Sequence, residues 1–322
     1  MLRKPIKKNI RNSQPEGTTL EELADSFNKA CKLKKLSEET IKYYCYRQEI
    51  LFSYMDKQTL CKDVTWDEVQ DSILDYGEGK ATSSVNLYIR AIRALLYYGM
   101  EKGWIEEFPV TCVKEDEVIK EGYTDEEMQK LLKRPFRNAS FAEWRGWLLA
   151  NYFYGTGNRL STVKDIQMKH LDLQGGFVTL VHQKNRKPQI IPLSASLVNA
   201  ITLYINMWRK DAGPEEYLFC NRYGEKPPRR TIEDAVLHYN RSRGVQRTGC
   251  HAFRHAFARN WIVNGGSVFG LQKMLNHSTL EMVKKYVELY SREVQAENNR
   301  VNPLDSMSTK VYRIGIKKTE KK

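Results

Sequence analysis

No apolar run in this chain approaches the roughly 18 residues that a membrane-spanning helix needs, and the N-terminal stretch MLRKPIKKNIRN carries charge without the apolar segment of a secretory leader. The expectation is a cytoplasmic protein with no membrane partner. Cysteines are few and scattered: the six, at positions 31, 45, 61, 112, 220 and 250, form no C-x-x-C pair. That pattern fits reduced thiols better than a disulfide framework or a zinc site. There is no G-x-x-x-x-G-K-[ST] loop to cradle a nucleotide phosphate, no internal repeat and no low-complexity block. Acids are missing from residues 1–15, which carry five Lys or Arg including Lys4, Lys7 and Lys8, and nearly missing from 310–322, where Glu320 stands against six.

The bulk of the chain is ordinary for a folded protein, with 322 residues, 41% hydrophobic and 28% charged. That length suffices for two domains, each with its own core. The net charge of +13 suggests a polyanionic partner, but the two ends supply ten of the thirteen, leaving about +3 for the body. Solvated basic tails account for the charge equally well, so the functional argument must rest on a site.

Periodicity and caps divide the chain. Residues 1–16 read as a flexible basic arm suited to phosphate contacts. Between 17 and 105, four helices are expected. The first opens on Thr18 with Glu21, or Thr19 with Glu22, and the second is capped by Ser37. A third runs through 66–74, and a fourth carries the apolar stripe Val85, Ile89, Ile92, Leu95, Leu96 and Met100. Arg90 and Arg93 lie near that stripe and are candidates for phosphate contact. Residues 106–121 read as a linker. The second domain, 122–300, starts at a Thr124–Glu127 capping box. Its apolar helix through 144–154 stops at GTG, and a new helical turn over 158–166 holds Arg159 early. Strands are expected at 177–182 and 189–193 around a basic hairpin with Lys184, Arg186 and Lys187, and further helices at 194–209 and 231–242. One more short strand is expected at 217–220. Residues 301–322 form a basic tail in which Tyr312, Ile314 and Ile316 alternate like a half-buried strand, which either frays or adds to an edge such as that of a neighbouring subunit. The fold class is mainly α with a small antiparallel β-sheet.

The chemistry gathers in HAFRHAFARNWIVNGGSVFGLQKMLNHSTLEMVKKY, residues 251–286. His251 and Arg254 stand three apart, so they neighbour each other on a helix. The Gly265-Gly266 pair ends that helix, and a second apolar run leads to His277, with Tyr286 nine residues on. Two imidazoles, a guanidinium and a phenol suit chemistry on a phosphodiester. None of these groups is a carboxylate, which argues against a metal-dependent nuclease; no cofactor is expected. Taken singly each signal is weak: His251 is equally a core histidine, Tyr286 one of eighteen tyrosines, Arg159 an exposed helix-start residue, Lys184 a solvated turn lysine.

The ordered set carries more weight. TGNRLSTVKDIQMKHLDL, a lysine-bearing hairpin ending IIPL, HAFRH, LNHS and then the tyrosine together resemble the tyrosine recombinases, or phage-type integrases, across essentially the whole second domain. The helical first domain resembles that family's core-binding, DNA-binding domain more loosely. The resemblance implies that Tyr286 is the nucleophile and that Arg159 and Arg254 grip the scissile phosphate. It makes His251 and His277 supporting histidines and Lys184 the hairpin lysine. It further implies a 3′-phosphotyrosyl intermediate, double-stranded DNA with specific recombination sites as substrate, a homotetramer on that DNA, and in some cases an accessory directionality factor. The chemistry asks for such groups: guanidinium forks neutralise non-bridging oxygens without a metal, and a phenol with pKa near 10 needs a base, for which His251 is the candidate. A hairpin lysine can protonate the leaving 5′-oxygen. Two departures stand out. Thr162 occupies a position where many members carry an acid, and Asn276 one where glycine is common; asparagine tolerates similar backbone angles. The preferred role is integration or excision of a mobile element. Xer-like dimer resolution, a relaxase like the type IB topoisomerases, and a catalytically silent DNA-binding regulator stay open.

Overall fold

Capping side chains decide where the helices begin. The computed structural model describes residues 17–115, 122–181 and 188–276, and the chain divides into one unit through residue 118 and a second from 119 onward, each with its own apolar core. Thr19, not Thr18, caps α1 (Leu20–Leu33): its hydroxyl accepts from the Glu22 amide while the Glu22 carboxylate takes the Thr19 amide. Ser37 caps α2 (Glu38–Phe52), a Thr65–Glu68 box opens α3 (Trp66–Gly77), and α4 spans Thr82–Glu101. The expected stripe of α4 is buried, from Val85 through Leu96, and meets Leu20, Leu23 and Phe27 of α1 and Leu51 of α2. In α2 burial falls on Gln48 as well as Leu51, whereas Tyr54, just past the helix, is exposed. Gln48 is tolerated there because its amide exchanges two hydrogen bonds with Asn28, at 2.9 and 3.2 Å. Ile105 and Val110 are buried in the same core and Asn86 is bonded to Val113, so residues 105–113 lie against the first unit.

The second unit begins with the Thr124–Glu127 box and α5 (Asp125–Leu132). Its centre is α6 (Phe141–Thr156), largely apolar, with Trp144, Trp147, Leu148, Leu149, Tyr152 and Phe153 all buried. A short helix, α7 (Leu160–Val163), follows. An antiparallel sheet comes next, of β1 (Leu171–Asp172), β2 (Phe177–Leu180) and β3 (Gln189–Pro192) in that order, with Val178 opposite both Leu171 and Ile191. Val178, Leu180 and Ile191 face the core, while Phe177 and Ile190 are exposed. Then come α8 (Ala195–Trp208), α9 (Arg229–Ser242), α10 (Cys250–Val263) and α11 (Val268–Leu275). Helices α5, α8, α9 and α10 all pack on α6. Among the described residues no helix is long and apolar enough to cross a membrane.

Two expectations need correcting. The third strand is residues 171–172, not 217–220, where only Tyr217 forms a bridge, to Gln167. Leu218, Phe219 and Cys220 are buried one after another in the core, so this apolar run is core filling rather than a strand face. The helical turn expected over 158–166 is confined to 160–163, with Arg159 as its N-cap residue.

Helix α6 approaches α9 closely enough that a Cβ on Gly146 would lie 2.5 Å from Tyr239 Cβ. Gly146→Ala is expected to lower unfolding free energy by about 1–3 kcal/mol through overpacking, measured by denaturant melts, with the α6 segment otherwise a better helix former.

Candidate active site

The turn that presents Arg159 is built by α6. Gly157 closes that helix in the left-handed region, φ 62°, with its amide on Phe153 O. A Cβ there would meet Phe257 at 2.5 Å and Leu275 at 2.6 Å, so glycine is required by both conformation and space. Thr156 Oγ1 donates to Tyr152 O at 2.7 Å and accepts from the Asn158 amide at 3.3 Å, and Asn158 Nδ2 donates to the Tyr152 hydroxyl. The buried polar turn is thus bonded internally, and Arg159 follows at a fixed place.

Helix α10 carries His251 and Arg254 in different surroundings. His251 is exposed, which removes the core-histidine reading. Arg254 is only 4% exposed. Its guanidinium donates from Nη1 to Gly157 O at 2.7 Å and from Nη2 to Leu275 O at 2.9 Å. It therefore joins the turn before Arg159 to the end of α11, which leads to position 277. At that end Asn276 is left-handed, φ 50° and ψ 52°, the conformation asparagine tolerates where glycine is otherwise common. A second fastener sits on the sheet: Gln189, first residue of β3, donates from Nε2 to Lys273 O in α11 at 2.5 Å.

A cleft of about 500 Å³ opens in this unit, lined by Asn158, Arg159 and Ser161 on one side, Thr248 to His251 on another, and Arg229, Arg230, Glu233 and Asp234 of α9 on a third. Arg159 and His251 thus share one cavity. Arg159 is half-buried and makes no ion pair among the described residues, and burial holds its guanidinium below the usual arginine range. It stays charged, because arginine does not deprotonate in proteins. Burying a cation without a carboxylate costs free energy unless an anion arrives, so the cleft is set to receive one. Arg229 and Arg230 pair with Glu233 at 2.9 Å and Asp234 at 3.0 Å, both i,i+4 and solvent-exposed, contacts of small worth that a stronger anion displaces. The carboxylates in the wall are therefore already matched to cations. Thr162, three residues after Arg159, is buried.

The structure brings Arg159 and His251 into one cleft, while Arg254 is buried and bonded to the turn that precedes Arg159. Lys184, His277 and Tyr286, and likewise Lys4, Lys7, Lys8, Arg186 and Lys187, lie outside the described residues. Arg90 is exposed and Arg93 half-buried on α4, neither in an ion pair among the described residues. Sequence reasoning missed Arg229 and Arg230; the signal was the PPRR run at a helix start. It also missed Gln189, for which a lone polar residue opening a strand gives no signal.

Arg254→Lys is expected to leave one of the two buried carbonyls without a donor, since an ammonium cannot span both. The loss should be about 1–3 kcal/mol of stability, read by thermal or denaturant unfolding.

Comparison with known proteins places the chain in a family. The sequence profile described as the phage integrase family matches residues 123–293. Tyrosine recombinase XerD of Staphylococcus haemolyticus (strain JCSC1435) is 25% identical over 303 residues, covering 88% of this chain and 99% of XerD. Tyrosine recombinase XerA of Pyrococcus furiosus is 24% identical over 295 residues, covering 91% and 98%. Among solved structures, the Tn1549 transposon integrase in complex with a circular intermediate DNA superposes with a TM-score of 0.71 at 18% identity, covering 88% of this chain and all of that one (100%). A lambda integrase tetramer bound to a Holliday junction superposes with a TM-score of 0.68 at 15% identity, covering 84% and 78%. With its second unit matched by the profile and its fold shared with these integrases, the chain belongs to the phage integrase family, the tyrosine recombinases.

Proposed function

We propose that this recombinase cuts and rejoins double-stranded DNA at specific sites through Tyr286, in the integration or excision of a mobile element. The observation that carries the reading is Arg159, a half-buried cation without a carboxylate partner among the described residues, in one cleft with His251. A phosphodiester gains charge on its non-bridging oxygens in a pentavalent transition state, and a fixed guanidinium fork answers that charge with no reorganisation. Arg159 is assigned one non-bridging oxygen and Arg254 the other. His251 takes the phenolic proton as Tyr286 attacks, His277 donates a hydrogen bond to the phosphate, and Lys184 protonates the departing 5′-oxygen. The bond energy is held in a 3′-phosphotyrosyl link, so rejoining needs no nucleotide.

Strand exchange between two sites requires two cleavages on each duplex, so four protomers assemble. The basic arm 1–16 and the helical first unit, with Arg90 and Arg93, are assigned to flanking DNA, as are Arg186 and Lys187. A directionality factor is a further partner of this reading, and the six thiols suit the reducing cytoplasm. A second role, Xer-like resolution of chromosome or plasmid dimers, is favoured by the near end-to-end match to XerD and XerA. Recombination that depends on a single chromosomal site, with no element ends, selects it.

The test is covalent trapping. Nicked duplexes tiled across the DNA flanking the protein's own gene are incubated with it in EDTA and run on denaturing gels. A covalent band that disappears in Tyr286→Phe is the expected result. DNA binding without a band in the wild type overturns the reading in favour of a silent regulator, and relaxation of a supercoiled plasmid lacking any such site favours a relaxase. Deleting residues 308–322 is expected to weaken tetramer assembly on the trapped duplex, measured by sedimentation, if the tail docks on a neighbour; unchanged assembly overturns the docking.

A further inference from the structure

The start of the second unit is laid directly on the catalytic helix. Gly122 faces α10 backbone to backbone: a Cβ on it would stand 2.4 Å from Ala256 N and 2.9 Å from the carbonyl carbon of His255. The next residue, Tyr123, is 1% exposed, and its ring lies 4.3 Å from that of Phe253, between His251 and Arg254 on α10. Its hydroxyl donates to Gly249 O at 3.2 Å. Gly249 is the N-cap of α10, which has no side-chain cap. The same hydroxyl accepts from Asn240 Nδ2 at 2.7 Å, and Asn240, fully buried near the end of α9, also donates to Arg247 O at 2.9 Å. Two buried side chains thus fix the backbone on which His251 stands. Burial raises the Tyr123 phenol well above the usual tyrosine range, so the hydroxyl keeps the proton it donates.

We propose that Tyr123 is a positioning residue for His251: through Gly249 and Phe253 it sets the N-terminal turn of α10, so the chain that connects the two units ends as a support of the reacting group. The inference rests on the functional reading above, in which His251 serves the phosphoryl transfer. Rotation of the first turn of α10 carries the His251 ring with it, and proton transfer is steep in donor–acceptor geometry. The side chain that prevents this rotation therefore affects the chemical step while leaving phosphate binding to Arg159.

The experiment is a double-mutant cycle of wild type, Tyr123→Phe, His251→Ala and the double variant, on the duplex that gives the covalent adduct, with DNA affinity measured separately. Tyr123→Phe is expected to slow single-turnover adduct formation about tenfold, the scale of one lost hydrogen bond, with unchanged affinity for the duplex and no further slowing in the His251→Ala background. Equal slowing in both backgrounds is the mark of a merely structural role and overturns the proposal, as does an unchanged rate. A His251→Ala protein that cleaves at the wild-type rate instead refutes the site assignment, a separable failure. One arm needs no DNA: in Tyr123→Phe the amides of residues 252–254 are expected to exchange hydrogen faster while those of α6 and α8 are unchanged, and unchanged exchange at 252–254 overturns the proposal even if no cleavage substrate is found.

Discussion

The second unit depends on one buried guanidinium. Arg254 holds Gly157 O and Leu275 O, carbonyls that end two different helices and would otherwise lie buried without donors. Its fork makes the two bonds in one plane, so the angle between the end of α6 and the end of α11 is set by the geometry of a single side chain. The neighbours follow from that: Gly157 must be left-handed and bare because Phe257 and Leu275 close over it, and Asn276 closes α11 in the left-handed region. The side chain is structural in its own right: its charge ties the turn before Arg159 to the end of α11.

Around this clamp the cleft is made by convergence. The Arg159 turn comes from α6, His251 from the first turn of α10, and two arginines from the first turn of α9, and both α9 and α10 pack on α6. A largely apolar helix can be packed by several others, so α6 sets the distances among groups far apart in sequence. Gln189 adds a tie between the sheet and α11, joining the start of β3 to Lys273 by a hydrogen bond.

Features governed by local chemistry could be read from the sequence. The Thr124–Glu127 box, the Ser37 cap, the α4 stripe and the tolerance of Asn276 for left-handed backbone all depend on residues within a turn or two, and the structure has them. The order of motifs also singled out Arg159 and His251, which share the cleft, and Arg254, which is bonded to the turn before Arg159. What escaped was set at long range. The two-residue strand 171–172 exists because β2 is there to pair with it, and Leu218 to Cys220 look like a strand only until the core that absorbs them is known. Gln48 in a core is legible only once Asn28 lies opposite. That Arg254 is buried while His251, three residues away, is exposed reflects the packing of α11, which helical spacing does not contain.

The paired arginines of α9 bear on how an anion is counted. Arg229 and Arg230 do not wait beside mobile ions; each already has a protein carboxylate as its counterion. When a polyphosphate draws them away, the cations it sheds are partly taken up again by Glu233 and Asp234. The dependence of affinity on ionic strength, normally proportional to the number of phosphates neutralised, then falls short of the number of contacts made. A cleft with its own internal salt binds with less sensitivity to the salt around it.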